Sequence, residues 1–185
     1  MIGNKKWKRV GNILAISREP EGTIGVPSAR DILRRHGMER AMPVPIVDLC
    51  RAEGLKDVFQ TRFKDSKVSG MIRHTDQGST IYVAEDQSPK RQRFTIAHEL
   101  AHYVLHIRPG LEGPNLIDRA DVYELYRQPG QADAREREAN LFAAELLMPT
   151  AVLRQLADVY APDQLAEFLA VSLEALMIRL RTIDS

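Results

Sequence analysis

His98-Glu99-Leu100-Ala101-His102 is the stretch whose residue types and spacing could do chemistry. On a helix, positions i and i+4 share a face, so the two imidazoles stand over one point, as two nitrogen ligands to zinc must. The Glu between them then sits where it can act as general base on a water polarised by the metal, the arrangement of a zinc peptidase. Phe94, Ala97, Ala101, Val104 and Leu105 can face a core while His98 and His102 share another side.

A catalytic zinc site normally takes three protein ligands and leaves one position for water, so a third ligand must come from elsewhere in the chain. His106 lies at i+4 from His102, but three successive i+4 residues on a straight helix span about 12 Å and cannot all reach one ion. A metal-binding His six residues after the second is excluded because residue 108 is Arg. His106 is therefore expected to support the site or pack beside it. Carboxylates on a second helix remain, and Glu136-Arg137-Glu138-Ala139-Asn140 offers two. Glu136 and Asn140 are i and i+4, so one can bind metal while the other orients a ligand imidazole. Glu138 has Phe142 at i+4, which favours Glu136, although Asp133-x-x-Glu136 also fits a helix-capping box. With Zn2+ in place, Glu99 would take a proton from water and return it to the leaving amine. Tyr103, Tyr123, Tyr126 and several Arg are available as oxyanion donors, and the sequence does not choose among them.

The elements that must position these residues can be read from periodicity and punctuation. Ser28-Ala29-Arg30-Asp31 is a capping box opening a short helix; Ile46, Leu49 and Cys50, closed by Gly54, make a second. Cys50 falls on the apolar stripe and is expected to be buried rather than reactive. Residues 55 to 85 change to strand period, with alternation at Phe59, Thr61 and Phe63 and two strands, Val68 to Ile72 and Thr80 to Val83, joined by a turn containing Asp76-Gln77-Gly78. The strand Thr80 to Val83 is either an edge that an extended peptide could join or an interior strand. Ser88 as N-cap and Pro89 as first helical residue open the helix that carries the two ligands, which runs to His106 and stops before Pro109-Gly110. The carboxylate helix runs from about Asp133 to Met148, with Pro149 ending it, and two or three short helices fill 150 to 182. The predicted fold class is α+β: a small antiparallel sheet packed against zincin-type active-site helices, with a C-terminal helical pair. The expected domains are 1–42, a basic arm and short helix; 43–149, the metallopeptidase-like core; and 150–185, a helix-turn-helix-like segment packed on that core.

Taken together, Arg91-Gln92-Arg93-Phe94-Thr95-Ile96-Ala97-His98-Glu99-Leu100-Ala101-His102, then Leu105-His106, and later Glu136-x-x-Ala139-Asn140-x-Phe142-Ala143-x-x-Leu146-Leu147-Met148-Pro149, resemble the ImmA/IrrE family of zinc metallopeptidases over about residues 43 to 182. The resemblance implies a gluzincin-like site with His98, His102 and Glu136 as metal ligands and Glu99 as catalytic base. It also implies a protein substrate, a helix-turn-helix repressor in stress response or mobile-element regulation, because related proteins cleave such repressors. Asn140 stands where several members have Asp. The segment from Gln164 to Leu180 is similar to the helix-turn-helix-like tail of the same family. The alternative is a non-catalytic, antitoxin-like module that binds a transcription factor or DNA.

Composition bounds these readings. The 185 residues carry 26 Lys+Arg against 25 Asp+Glu, so no whole-molecule charge draws the chain to nucleic acid or an anionic membrane. Residues 1–40 hold nine Lys/Arg and four Asp/Glu, which is more simply a solvated face than a DNA contact. The C-terminal helices offer only Arg179 and Arg181 as cations against Glu174 and Asp184, so direct DNA binding is disfavoured. One cysteine excludes an internal disulfide. The apolar stretch Val10 to Ile16, broken by Gly11 and Asn12, is a poor signal peptide, and no run approaches the ~20 apolar residues of a membrane span. A cytoplasmic enzyme with no membrane partner is expected.

Overall fold

In a computed structural model, residues 27–109 and 132–183 are described. The first helix, α1 (Ala29–Arg35), opens on the expected capping box: Ser28 Oγ accepts from the Asp31 backbone N–H, and Asp31 Oδ2 accepts from the Ser28 N–H at 3.1 Å. The second, α2 (Ile46–Ala52), ends at Gly54, whose φ of +92° turns the chain toward the sheet at no Cβ cost. Ile32 and Leu33 of the first helix and Ile46, Leu49 and Cys50 of the second are buried in the core. Burial holds the Cys50 thiol protonated by pushing its pKa up to about 12, as expected of an inert core cysteine.

Three strands follow: β1 (Asp57–Thr61), β2 (Gly70–Thr75) and β3 (Gly78–Ala84), in the order β1-β3-β2. The hairpin β2–β3 is antiparallel as the turn residues require, with Ile72 opposite Ile81 and Gly78 at φ +107°. By contrast, β1 joins β3 in parallel, with Val58 opposite Ile81. The sheet is thus mixed rather than wholly antiparallel, because β1 and β3 are not joined by a local turn: β2 intervenes in the chain, and its hairpin inserts β3 between the two. The Thr80 to Val83 segment is interior, and the edge strands are β1 and β2.

The helix α3 (Pro89–His102) begins as predicted, with Ser88 as N-cap and Pro89 at its first position. Two glutamines fix it on the sheet: Gln92 Nε2 donates to the Ala84 carbonyl, and Gln60 Nε2 donates to Gln92 Oε1, both at 2.9 Å. Arg93 ties it to the segment before α2 by donating to the Val44 carbonyl at 2.8 Å. The α-helix does not run to His106; Tyr103–Ile107 form a π-helical turn that buries Tyr103, Val104 and Ile107. Arg108, just beyond it, donates to Glu53 at 2.5 Å, and Arg35 and His36 meet the same buried carboxylate at 3.3 and 2.5 Å. Glu53 therefore joins the ends of α1 and α2 to the end of the π turn, with three partners repaying its desolvation.

Across α3 lies α4 (Ala132–Leu147), whose Ala139, Phe142, Ala143, Leu146 and Leu147 are buried as its apolar period predicts. The remaining helices are α5 (Thr150–Leu156), α6 (Pro162–Leu169) and α7 (Leu173–Ile183). They anchor to α4 through Arg179, 9% exposed, which donates to Glu145 and to Thr150 Oγ1. Lys90 of α3 pairs with Glu167 of α6. The fold class is α+β, and no described helix is long and apolar enough to cross a membrane.

Candidate metal centre

Two helices carry the site. His98 and His102 stand one turn apart on α3, and their Nε2 atoms approach to 3.0 Å. From α4, Glu136 places Oε2 3.2 Å from His98 Nε2 and Oε1 3.1 Å from His102 Nε2. The structure thus brings together the three residues that the sequence nominates as ligands, with one donor atom of each within 4.8 Å of the others. Ligands at about 2.0–2.1 Å from a tetrahedral zinc would lie about 3.3–3.4 Å apart. The observed separations fall within a few tenths of an ångström of that edge, and two imidazole nitrogens with one carboxylate oxygen are a donor set zinc accepts. The residues present fit the ion.

The electrostatics agree. Burial, with His98, His106 and Arg135 nearby, depresses the His102 pKa to about 3, so its ring stays neutral and keeps a lone pair for a metal at physiological pH. His98 Nδ1 lies 3.1 Å from Asn140 Oδ1. Asn140 Oδ1 can only accept, so this contact assigns the His98 proton to Nδ1 and leaves Nε2 facing Glu136 as the ligating atom. The i, i+4 pair Glu136 and Asn140 therefore addresses the histidines with both members. Glu138 does not enter the triad; its Oε2 lies 3.8 Å from His106 Nε2. His106 itself lies within the π turn, its ring centroid 5.5 Å from that of His102, beside the triad rather than in it.

Glu99 lies on the cleft side of α3, next to the sheet. The Ile72 backbone N–H donates to its carboxylate, which favours the charged form, but burial and the charge of Glu136 outweigh that bond and push its pKa up to about 7. A carboxyl poised near neutrality is suited to accept and return a proton. Around these groups is a cleft of about 890 Å³, bounded by α3, by Glu136 and Asn140 of α4, and by Gly70, Met71, Ile72 and His74 of the edge strand β2.

Of the oxyanion donors the sequence offers, Tyr103 turns away: its hydroxyl lies 3.8 Å from where a Cβ on Gly54 would be, on the α2 side. Tyr123 and Tyr126 are outside the described residues. Two contributors were not singled out from the sequence. Gly70 lets β2 close on α3, since a Cβ there would stand 2.3 Å from Thr95 Cγ2 and 3.5 Å from Glu99 Oε1. A glycine opening a strand is the signal that could have marked it. The Ile72 N–H, a backbone group, carries no signal in residue type.

Residues 56–181 match the family described as the IrrE N-terminal-like domain, a peptidase family. The metallopeptidase ImmA of Bacillus subtilis is 22% identical over 126 residues, covering 68% of this chain and 64% of that protein. The radiation response metalloprotease IrrE of Deinococcus radiodurans is 30% identical over 84 residues, covering 45% of this chain and 24% of that protein. The match thus spans less than two thirds of either relative. Among solved structures, a Mycobacterium tuberculosis transcriptional regulator shares the fold with a TM-score of 0.52 at 22% identity, over 82% of this chain and 45% of that one.

Proposed function

Because this chain belongs to the IrrE N-terminal-like domain family of peptidases, we propose that it is a zinc-dependent endopeptidase that hydrolyses a peptide bond in a specific cytoplasmic protein. The observation that carries this reading is the convergence of His98, His102 and Glu136 beside a carboxyl, Glu99, held near neutrality. Zinc bound there would supply Lewis acidity and a water of lowered pKa. Asn140 orients His98, and the depressed pKa of His102 keeps that ring from protonating. Glu99 accepts the proton of the attacking water and delivers it to the departing amide nitrogen. The outer edge of β2 is unpaired among the described strands and borders the cleft, so an extended substrate segment can add to it by backbone hydrogen bonds.

A helix-turn-helix repressor is the substrate that the family resemblance favours, in stress response or mobile-element control. Of the two cations counted on the last helix for DNA contact, Arg179 is committed to Glu145 and Thr150, which weakens the DNA-binding alternative. The test is cleavage of the helix-turn-helix regulator encoded nearest this gene by zinc-loaded wild type and Glu99→Gln. Cleavage by wild type alone supports the reading. Equal cleavage by a metal-replete Glu99→Gln protein overturns the assigned mechanism, and an intact regulatory effect without any cleavage favours the non-catalytic binding module.

A further inference from the structure

The N-terminal turn of α3 carries three cations, and the structure sends each to a different place. Lys90 pairs with Glu167 of α6, and Arg93 donates to the Val44 carbonyl. Arg91 lines the cleft, exposed, and makes no ion pair among the described residues. Lys67, two residues before Ser69, lines the same cleft and is likewise exposed without an ion pair among the described residues. Gln87 Nε2 donates to Ser69 Oγ at 2.8 Å and so holds the approach to β2 against the start of α3, which puts both cations at one end of the cleft. Among the described residues the carboxylates of the cleft are Glu99 and Glu136, and both belong to the metal centre.

Resting on the peptidase reading above, we propose that Arg91 and Lys67 form a specificity subsite for an acidic side chain of the substrate, three residues from the scissile bond on the Arg91 side. The spacing comes from the helix: Arg91 is seven residues before His98, two turns along the same face, or about 10 Å at 1.5 Å per residue. An extended peptide lying on β2 covers that distance in three residues at about 3.3 Å each. Phe94 lines the cleft between the two points. Recognition runs from the metal centre past an aromatic wall to a cationic end, so a neutral residue at the third position leaves the cations solvated and an acidic one pairs with them.

The test uses the full-length zinc-loaded protein and a set of synthetic peptides sharing one cleaved apolar bond, with Asp or Asn placed at each of four positions on either side of it. We expect Asp to raise kcat/KM over Asn by about threefold to tenfold at one position, the third on one side, and the advantage to shrink as salt is raised, the size of an exposed ion pair. In Arg91→Gln/Lys67→Gln that ratio falls to about one, and in Arg91→Glu a Lys at that position becomes preferred over Asp. Calorimetric binding of the same peptides is measured alongside. An Asp preference in binding with no cleavage of any peptide upholds the acidic subsite and overturns the peptidase reading. The same turnover and affinity for Asp and Asn at every position, or an Asp preference that the double variant retains, overturns the subsite.

Discussion

Replacing Glu99 by Gln should stabilise the metal-free protein at alkaline pH and leave it unchanged in acid. The Glu99 carboxyl is raised from an ordinary 4.5 to about 7, first by burial and then by Glu136. The folded state therefore holds a proton there more tightly than the unfolded chain. The sign follows: stability is fully present below about pH 4.5 and falls as pH rises, the loss being complete once pH passes about 7. At about 1.4 kcal/mol per pH unit the full loss is on the order of 3 kcal/mol, an upper bound because the carboxyl keeps a partly exposed edge. Against a typical domain stability of roughly 5–15 kcal/mol this is readily measured. Gln keeps the shape and an oxygen that can accept the Ile72 N–H, but never ionises. Urea denaturation of EDTA-treated wild type and Glu99→Gln should give equal stabilities at pH 4.5 and a variant more stable by about 1–3 kcal/mol at pH 8.5. A difference independent of pH, or a less stable variant at pH 8.5, would refute the reasoning that the fold holds Glu99 against its charge.

Gly70→Ala should cost about 1–3 kcal/mol, because its Cβ would meet Thr95 Cγ2 at 2.3 Å; Thr95→Ser, which removes that methyl, should recover much of the loss in the double variant, and strict additivity in a thermal-melt cycle would count against the contact. Arg179→Ala should lower Tm by about 4–8 °C, from about 2 kcal/mol lost with the Glu145 and Thr150 bonds; an unchanged melt would mean the residue is free for another task. Asn140→Ala should weaken zinc affinity by roughly 10- to 100-fold by releasing His98, which competition with a chromophoric chelator would measure, and an unaltered affinity would remove Asn140 from the site.

Local signals carried the sequence reading furthest. The capping box at Ser28 and Asp31, the Ser88-Pro89 start of α3 and the Gly78 turn each rest on backbone chemistry within four residues, and all three recur in the structure. The i, i+4 spacings on α3 and α4 were enough to nominate both faces of the site. Non-local pairing was the harder part. Nothing within β1 states that it runs parallel to β3, and the interior place of β3 depends on that pairing. The π turn at Tyr103–Ile107 was invisible because its residues suit an α-helix equally well. Arg179 illustrates a different limit: charge counting treats it as a surface cation, while its partners Glu145 and Thr150 lie about 30 residues away in the chain. Glu53 likewise looks like a solvated helix end until Arg35, His36 and Arg108 converge on it.

The most direct test of the account is a zinc titration of metal-free wild type, Glu136→Gln and Glu138→Gln, read by competition with a chromophoric chelator. Glu136 meets both histidines, whereas Glu138 reaches only His106 at 3.8 Å. The wild-type chain should bind one tight zinc, Glu138→Gln the same, and Glu136→Gln with an affinity at least roughly tenfold weaker, the loss of one of three protein ligands. Wild-type protein that takes up no zinc, or a Glu136→Gln variant that binds it as tightly as wild type, would contradict the metal centre and the peptidase reading that rests on it.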